Sequence, residues 1–188
     1  GYYSKYKDIQ VSVFDPFNNR VFDVINAGRA VTQGFEADLT AVVFDGMTVS
    51  GSYGYVDPKF KEVVDLGGND VTPLFHFAHA PKNSFTLEAD YKSEATEFGV
   101  FEANLNYAWQ GKYFGLYSNN NIITKATGML GGRIGVSDVG GVEGLRLAVW
   151  GRNLTNAVPY TVHFAVGDIP MAMVGEPRSF GVDLSMEF

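Results

Sequence analysis

Apolar and polar residues alternate one for one along eight stretches of the chain, the period-2 signature of strands with one apolar and one polar face. The last stretch is the clearest: Phe180, Val182, Leu184, Met186 and Phe188 fall on one face, Gly181, Asp183, Ser185 and Glu187 on the other. Upstream, Phe101, Ala103, Leu105, Tyr107 and Trp109 oppose Glu102, Asn104, Asn106 and Gln110. The other predicted strands run from Asp8 to Val13, Val31 to Val43, Met47 to Val56, Asn83 to Tyr91, Thr127 to Ser137 and Leu145 to Asn153. Asp15-Pro16 with Asn18-Asn19 breaks the first, Asp45-Gly46 marks a tight hairpin after the second, and Asp57-Pro58 closes the third.

Between these strands the connections alternate. Long ones, to about Gly28 and over 59–82, 111–126 and 154–177, are separated by short turns. Short turns at one edge and long loops at the other are the plan of an outer-membrane barrel. The predicted fold is therefore all-β: an antiparallel transmembrane β-barrel with about eight strands in this chain.

Alternation alone does not orient the faces, since a soluble barrel or sandwich alternates too, with its apolar face inside. The polar face carries Glu36, Asp38, Glu88, Asp90, Glu102, Asp183 and Glu187 against Arg133, Arg146 and Arg152. Such an acidic excess is costly in a dry interior and acceptable in a hydrated lumen. Tyr91, Phe101 and Phe188 near the short-turn ends, with Tyr55, Trp109 and Phe180 near the loop ends, make two aromatic girdles. Both features favour polar in, apolar out.

Composition narrows the function. The 188 residues include 22 glycines and 14% aromatics, suited to strands and turns, and 46% hydrophobic residues. A formal net charge of −7 without a run of Lys and Arg excludes a nucleic-acid binder. The absence of cysteine excludes disulfides, thiolate metal sites and Cys nucleophiles. No apolar run reaches the length of a membrane-spanning helix, and Gly1–Lys7 has no leader character, so the expectation is a processed or truncated piece.

Candidate chemistry is sparse. His76 and His79 stand three apart in a long loop, too few ligands for a metal site without further support. Gly128, Gly131, Gly132 and Gly135 lack the Lys-Ser/Thr of a phosphate loop and fit strand packing. The inward carboxylates are explained by a wet lumen, and three scattered histidines assemble no catalytic triad. No enzyme, cofactor or metal is expected.

The run Asn26-Ala27-Gly28-Arg29-Ala30-Val31-Thr32-Gln33-Gly34-Phe35-Glu36-Ala37-Asp38-Leu39 resembles a barrel strand of TonB-dependent outer-membrane receptors. Ala80-Pro81-Lys82 with Tyr91, Asn153-Leu154-Thr155-Asn156 with Tyr160, and Pro177-Arg178-Ser179-Phe180-Gly181 resemble later segments of that family, in the same order. The resemblance implies that 1–188 is the C-terminal part of a 22-stranded barrel whose lumen holds an N-terminal plug absent from this chain. It implies TonB-coupled uptake of a scarce nutrient, most often a ferric siderophore or similar chelate, at the bacterial outer membrane. The implied partners are the rest of the barrel and its plug, TonB through the plug, outer-membrane lipid and lipopolysaccharide, and the outer-membrane insertion machinery. For that machinery Phe180, Val182, Leu184, Met186 and Phe188 resemble the assembly signal. Candidate substrate contacts in the loops are Phe17, Arg20, Phe75, His76, His79, Tyr113, Tyr117, Asn120, His163 and Asp168. Two alternatives stay open: a self-contained eight-stranded outer-membrane barrel with a structural or adhesion role, and a soluble ligand-binding β-barrel.

Overall fold

A computed structural model describes residues 1–14, 22–65, 67–116, 122–166 and 169–187. Eight long strands form one antiparallel sheet: β1 (Tyr2–Phe14), β2 (Phe22–Phe44), β3 (Met47–Glu62), β4 (Asn83–Thr96), β5 (Gly99–Gln110), β8 (Thr127–Ser137), β9 (Leu145–Arg152) and β12 (Ser179–Met186), hydrogen-bonded in that order. Two small hairpins sit in the long connections: β6 (Tyr113–Phe114) with β7 (Ile123–Thr124), and β10 (Tyr160–Val166) with β11 (Ile169–Val174). Long and short connections alternate as predicted over the last six, whereas the first, predicted to reach Gly28, spans only 15–21, no more than the turn at 138–144.

The register explains why the pattern is legible. Directly paired residues share a face of the sheet. One row runs Ala41–Val49–Ala89–Leu105–Gly132–Gly151–Phe180 across seven strands. The next row, on the opposite face, runs Thr48–Asp90–Asn104–Arg133–Trp150–Gly181. A slip of one residue in any pair would set a polar row against an apolar one, so every hairpin is held in register by both faces.

The two faces of the sheet differ in what they present. The grooves of the sheet are lined by polar-face residues such as Asp38, Ser50, Glu88, Asn104, Arg133 and Asp183. Leu39, 71% exposed, and Leu184, 73% exposed, stand bare on the apolar face with Val182, Ile134 and Phe35. An unbroken apolar surface of this extent has no place in water. In hydrocarbon each such side chain gains roughly 1.5–3 kcal/mol. The soluble barrel needs its apolar face inside, which an open sheet with that face left bare does not provide. The self-contained barrel fails for another reason: β1 and β12 lie at opposite edges of an open sheet, with no pairing between them among the described residues.

Several strands are longer than the alternation predicts. β1 starts at Tyr2 rather than Asp8, and β2 at Phe22, so residues 22–28 are strand and not loop. Alternation is broken there by two positive-φ residues and a bulge: Asp8 and Gly28 have φ of 55° and 40°, and the β2–β3 register shifts between Arg29 and Ala30, with Lys61 the extra residue on β3. Gly28 lies against the Glu62 backbone, where a Cβ would collide. β3 runs through Asp57-Pro58 to Glu62. Pro58 is tolerated because β4 ends its pairing at Tyr55↔Asn83, which leaves this part of β3 an edge paired only to β2. β4 likewise continues past Tyr91 to Thr96.

The connection after β3 folds back onto this extension. Val63, Phe75, Phe60 and Ala30 form a buried cluster, flanked by Ile9, Val71 and Phe77, with Phe60 stacked on Phe77 at 4.3 Å. A short 3-10 turn, Thr72–Leu74, follows the Val64↔Asp70 bridge. The apolar residues of 59–82 thus make a small core of their own beyond the lipid-facing band.

Candidate functional site

The long connections at one end of the sheet are tied into a collar. The backbone N–H of His79 donates to the Phe114 carbonyl at 2.9 Å, beside a parallel bridge from Ala78 to Phe114, which joins the first described loop to the β6–β7 hairpin. The Tyr113 hydroxyl reaches the Tyr160 carbonyl at 3.4 Å, and Thr124 Oγ1 lies 2.7 Å from His163 Nε2, which join that hairpin to β10–β11. Gly115 permits the closest approach: a Cβ there would sit 2.7 Å from the His163 ring and from Ile122.

Residues distant in sequence therefore meet. The rings of His79 and His163 are 5.4 Å apart, His79 and Tyr113 5.6 Å, and Tyr113 stands edge-on to His163 at 5.9 Å. Tyr160 completes the group at 5.8 Å from His163. Tyr113, Thr124 and His163 are buried, whereas His79 and Tyr160 are open to solvent. His163 Nδ1 is buried without a hydrogen-bond partner. Burial, then the neighbouring His79, holds the His163 pKa below the ordinary 6.5. Neutral His163 can donate from only one ring nitrogen, so its tautomer is set by what Thr124 and a visiting ligand offer.

His76 does not join His79. Its ring stacks on Phe114 at 3.9 Å, so the two histidines of the loop serve different neighbours. Phe75 is packed in the loop core, edge-on to Phe60. Phe17, Arg20, Tyr117, Asn120 and Asp168 lie outside the described residues, as does Phe188. Tyr160 and Thr124 were not among the sequence candidates: nothing in a lone Thr marks it as the partner of a histidine 39 residues away in another loop, and nothing in a lone Tyr marks it as the neighbour of one in its own strand.

Below the collar the polar face forms a groove of about 720 Å³ roofed by Pro159, Thr161 and Glu176 and floored by Asn104, Arg133, Trp150 and Asp183. Its floor is cross-linked. Arg133 pairs with Asp183 at 3.2 Å, and Trp150 Nε1 donates to the same carboxylate at 3.1 Å. Asn104 donates to Glu88 and to Asp90, each at 2.8 Å, and accepts from Asn106 at 3.1 Å. Polar partners in neighbouring strands thus satisfy each other across a wet surface.

The TonB-dependent receptor-like β-barrel family model matches residues 1–154. No curated protein matches the chain. Among solved structures, the ferric yersiniabactin uptake receptor FyuA of Yersinia pestis superposes with a TM-score of 0.76 at 18% identity, over 99% of this chain and 26% of that one. The ferric-catecholate import receptor Fiu of E. coli K12 gives 0.65 at 16% identity, over 96% and 23%. The ferripyoverdine receptor of the outer membrane of Pseudomonas aeruginosa gives 0.59 at 17%, over 95% and 23%. The chain spans about a quarter of the length of these structures. The fold is theirs, an arc of a transmembrane barrel open at both edges, and with the family model covering most of the sequence the chain belongs to the TonB-dependent receptor-like β-barrel family.

Proposed function

We propose that the chain is the C-terminal wall of an outer-membrane receptor that takes up a ferric chelate through TonB. The observation that carries this reading is the collar: long loops gather His79, Tyr113, Tyr160 and His163 at one mouth of a polar wall. Flat aromatic and imidazole surfaces with few fixed charges suit a bulky chelate whose metal is already coordinated by its own ligands. The chelate is substrate here and the chain supplies no metal ligands to it. Relatives that share the fold are receptors for ferric yersiniabactin, ferric catecholate and ferripyoverdine. Family members are transporters and not enzymes.

In this reading the loop end faces the outside and the short turns face the periplasm. Substrate settles on the collar, and a plug inside the barrel, moved by TonB, opens the path beneath. Glu36, Asp38, Glu88 and Asp90 on the lumen face favour a plug surface that is basic. β12, with Phe180, Val182, Leu184 and Met186 on its lipid face, is the strand offered to the insertion machinery, and its free edge pairs with the first strand of the complete barrel.

The test is uptake of radioactive iron by cells whose only receptor of this kind is the intact protein, supplied in turn as ferric yersiniabactin, a ferric catecholate and ferripyoverdine. Uptake of at least one chelate that falls about tenfold or more in the His79→Ala/Tyr113→Ala variant, with unchanged receptor in the outer membrane, is the expected result. Uptake of none, or uptake indifferent to the variant, overturns the ferric-chelate reading.

A further inference from the structure

His163 keeps a hydrogen-bonding atom that nothing in the collar uses. The residue is 9% exposed, and its Nδ1 is buried without a partner. Its other nitrogen, Nε2, lies 2.7 Å from the hydroxyl of Thr124, which is itself buried. A neutral imidazole carries one N–H and one bare lone pair. With Nε2–H donated to Thr124, the lone pair stands at Nδ1, unanswered by any described group. Folded proteins rarely leave such an atom unpaired, so an unmet one points to a missing ligand.

Two contacts fix the ring in this pose. Tyr113 stands edge-on to it, and Gly115 passes so close that a Cβ there would lie 2.7 Å from the imidazole Cγ. His79 is placed by its backbone instead. Its φ is 54°, in the left-handed region that few residues with a Cβ adopt, and its N–H is held by the Phe114 carbonyl at 2.9 Å. His76, three residues earlier, is engaged on the Phe114 ring. Of the two histidines in that connection, only His79 stands beside His163, and its exposure leaves a way in from solvent.

The spacing of the two rings separates a simple contact from a shared ligand. Stacked rings in van der Waals contact are closer, as His76 and Phe114 are at 3.9 Å, whereas the centres of His79 and His163 are 5.4 Å apart with planes inclined by 50°. An imidazole nitrogen binds a zinc ion at about 2.0–2.1 Å, which puts the ion about 3.2 Å from the ring centre, and a tetrahedral angle then sets two such centres about 5.2 Å apart. The pair already stands close to that spacing. Thr124 supplies the hydrogen bond that a metal-binding histidine gives from its second nitrogen. Among the described residues no third His, Cys, Asp or Glu joins the pair, so the remaining positions fall to water or to a donor on an incoming molecule.

We propose that His79 and His163 together bind a divalent transition ion, Zn2+ or its neighbours Ni2+ and Cu2+, with His163 contributing Nδ1. Imidazole donors select these ions over Mg2+ and Ca2+, which take oxygen. The ion acts as a clasp: it ties the connection that carries His79 directly to the β10–β11 hairpin, two segments otherwise joined through β6–β7. Its donors come from the protein, whereas a chelate brings its own, so this site does not rest on the uptake reading above.

The test uses the intact receptor in mild detergent, stripped of metal and free of any chelate, titrated with Zn2+ in a calorimeter. The wild type should bind Zn2+ in a saturable step that weakens about tenfold or more in His79→Ala, where an exposed side chain is removed, and stays unchanged in His76→Ala. Mg2+ should give no such step. Zn2+ should slow protease cleavage within 154–178 in the wild type and not in His79→Ala. With Cu2+ as the probe, pulsed EPR should show two imidazole nitrogens on one ion, reduced to one in His79→Ala. The absence of a saturable step with Zn2+, Ni2+ and Cu2+ alike overturns the inference, and so does a step of equal strength in the wild type and His79→Ala. Failure of these titrations leaves the ferric-chelate reading standing, and failure of iron uptake leaves this site standing.

Discussion

His163 concentrates the physics of the collar in one ring. Its Nε2 has Thr124, its Nδ1 has nothing, and it is almost wholly buried between Tyr113, Gly115 and the exposed His79. Charging such a ring costs its hydration and brings it against a second imidazole, so its folded-state pKa lies below 6.5. The sign for stability follows. Above 6.5 the ring is neutral whether the collar is closed or open, and packing is at full strength. As pH falls through 6.5 the open form takes up the proton first, so the collar loses stability until the closed-form pKa is passed. An NMR titration of the histidine rings should put the His163 midpoint below 6.5; a midpoint at or above it would contradict the burial described. Thr124→Val removes the one partner the ring has, at a local cost of about 1–3 kcal/mol. Protease cleavage within 154–178 should accelerate about tenfold or more in that variant at neutral pH, since such a segment is cut from its opened form.

At the scale of the element, β12 shows how one strand is held by two different solvents. Its paired edge runs in unbroken register with β9 from Ser179↔Arg152 to Met186↔Leu145. Its outward residues face lipid, and its inward Asp183 is fixed by Arg133 and Trp150. Leu184 lies near the middle of the band between the girdles, so Leu184→Arg should cost about 2–4 kcal/mol of folding stability in a bilayer. Ser185→Arg, one residue along and facing the lumen, should change it by less than about 1 kcal/mol. Urea unfolding of the intact receptor in vesicles compares the two, and equal losses would contradict the face assignment. Elements of this kind were legible in sequence because each membrane strand must alternate to separate hydrocarbon from water. Alternation carries no such obligation beyond the girdle. Gly28 takes a positive φ, the register with β3 shifts beside it, and Asp57-Pro58 pairs on one side only, so both ends of the β1–β3 extension read as loop. The meeting of His79, Tyr113 and His163 was not legible at all, for it depends on loop closure between segments whose own sequences do not name their partners.

At the scale of the whole molecule, the eight-strand arc has a lipid face, a lumen face and two open edges, at β1 and β12. A bare apolar surface with unpaired edge strands is an aggregation template in water. The chain expressed alone should therefore be recovered in the insoluble fraction without detergent, and a monodisperse aqueous monomer would contradict the arc as described. The arc works as a wall only if its apolar face meets lipid and its polar face water. The chain has no cysteine, so single nitroxide labels can be placed without background by cysteine substitution at 182, 183, 184 and 185 of the intact receptor in vesicles. Collision with oxygen reports lipid, and collision with a water-soluble nickel complex reports the lumen. Labels at Val182 and Leu184 should favour oxygen, and labels at Asp183 and Ser185 nickel; accessibility that fails to alternate, or alternates with the opposite phase, would contradict the account.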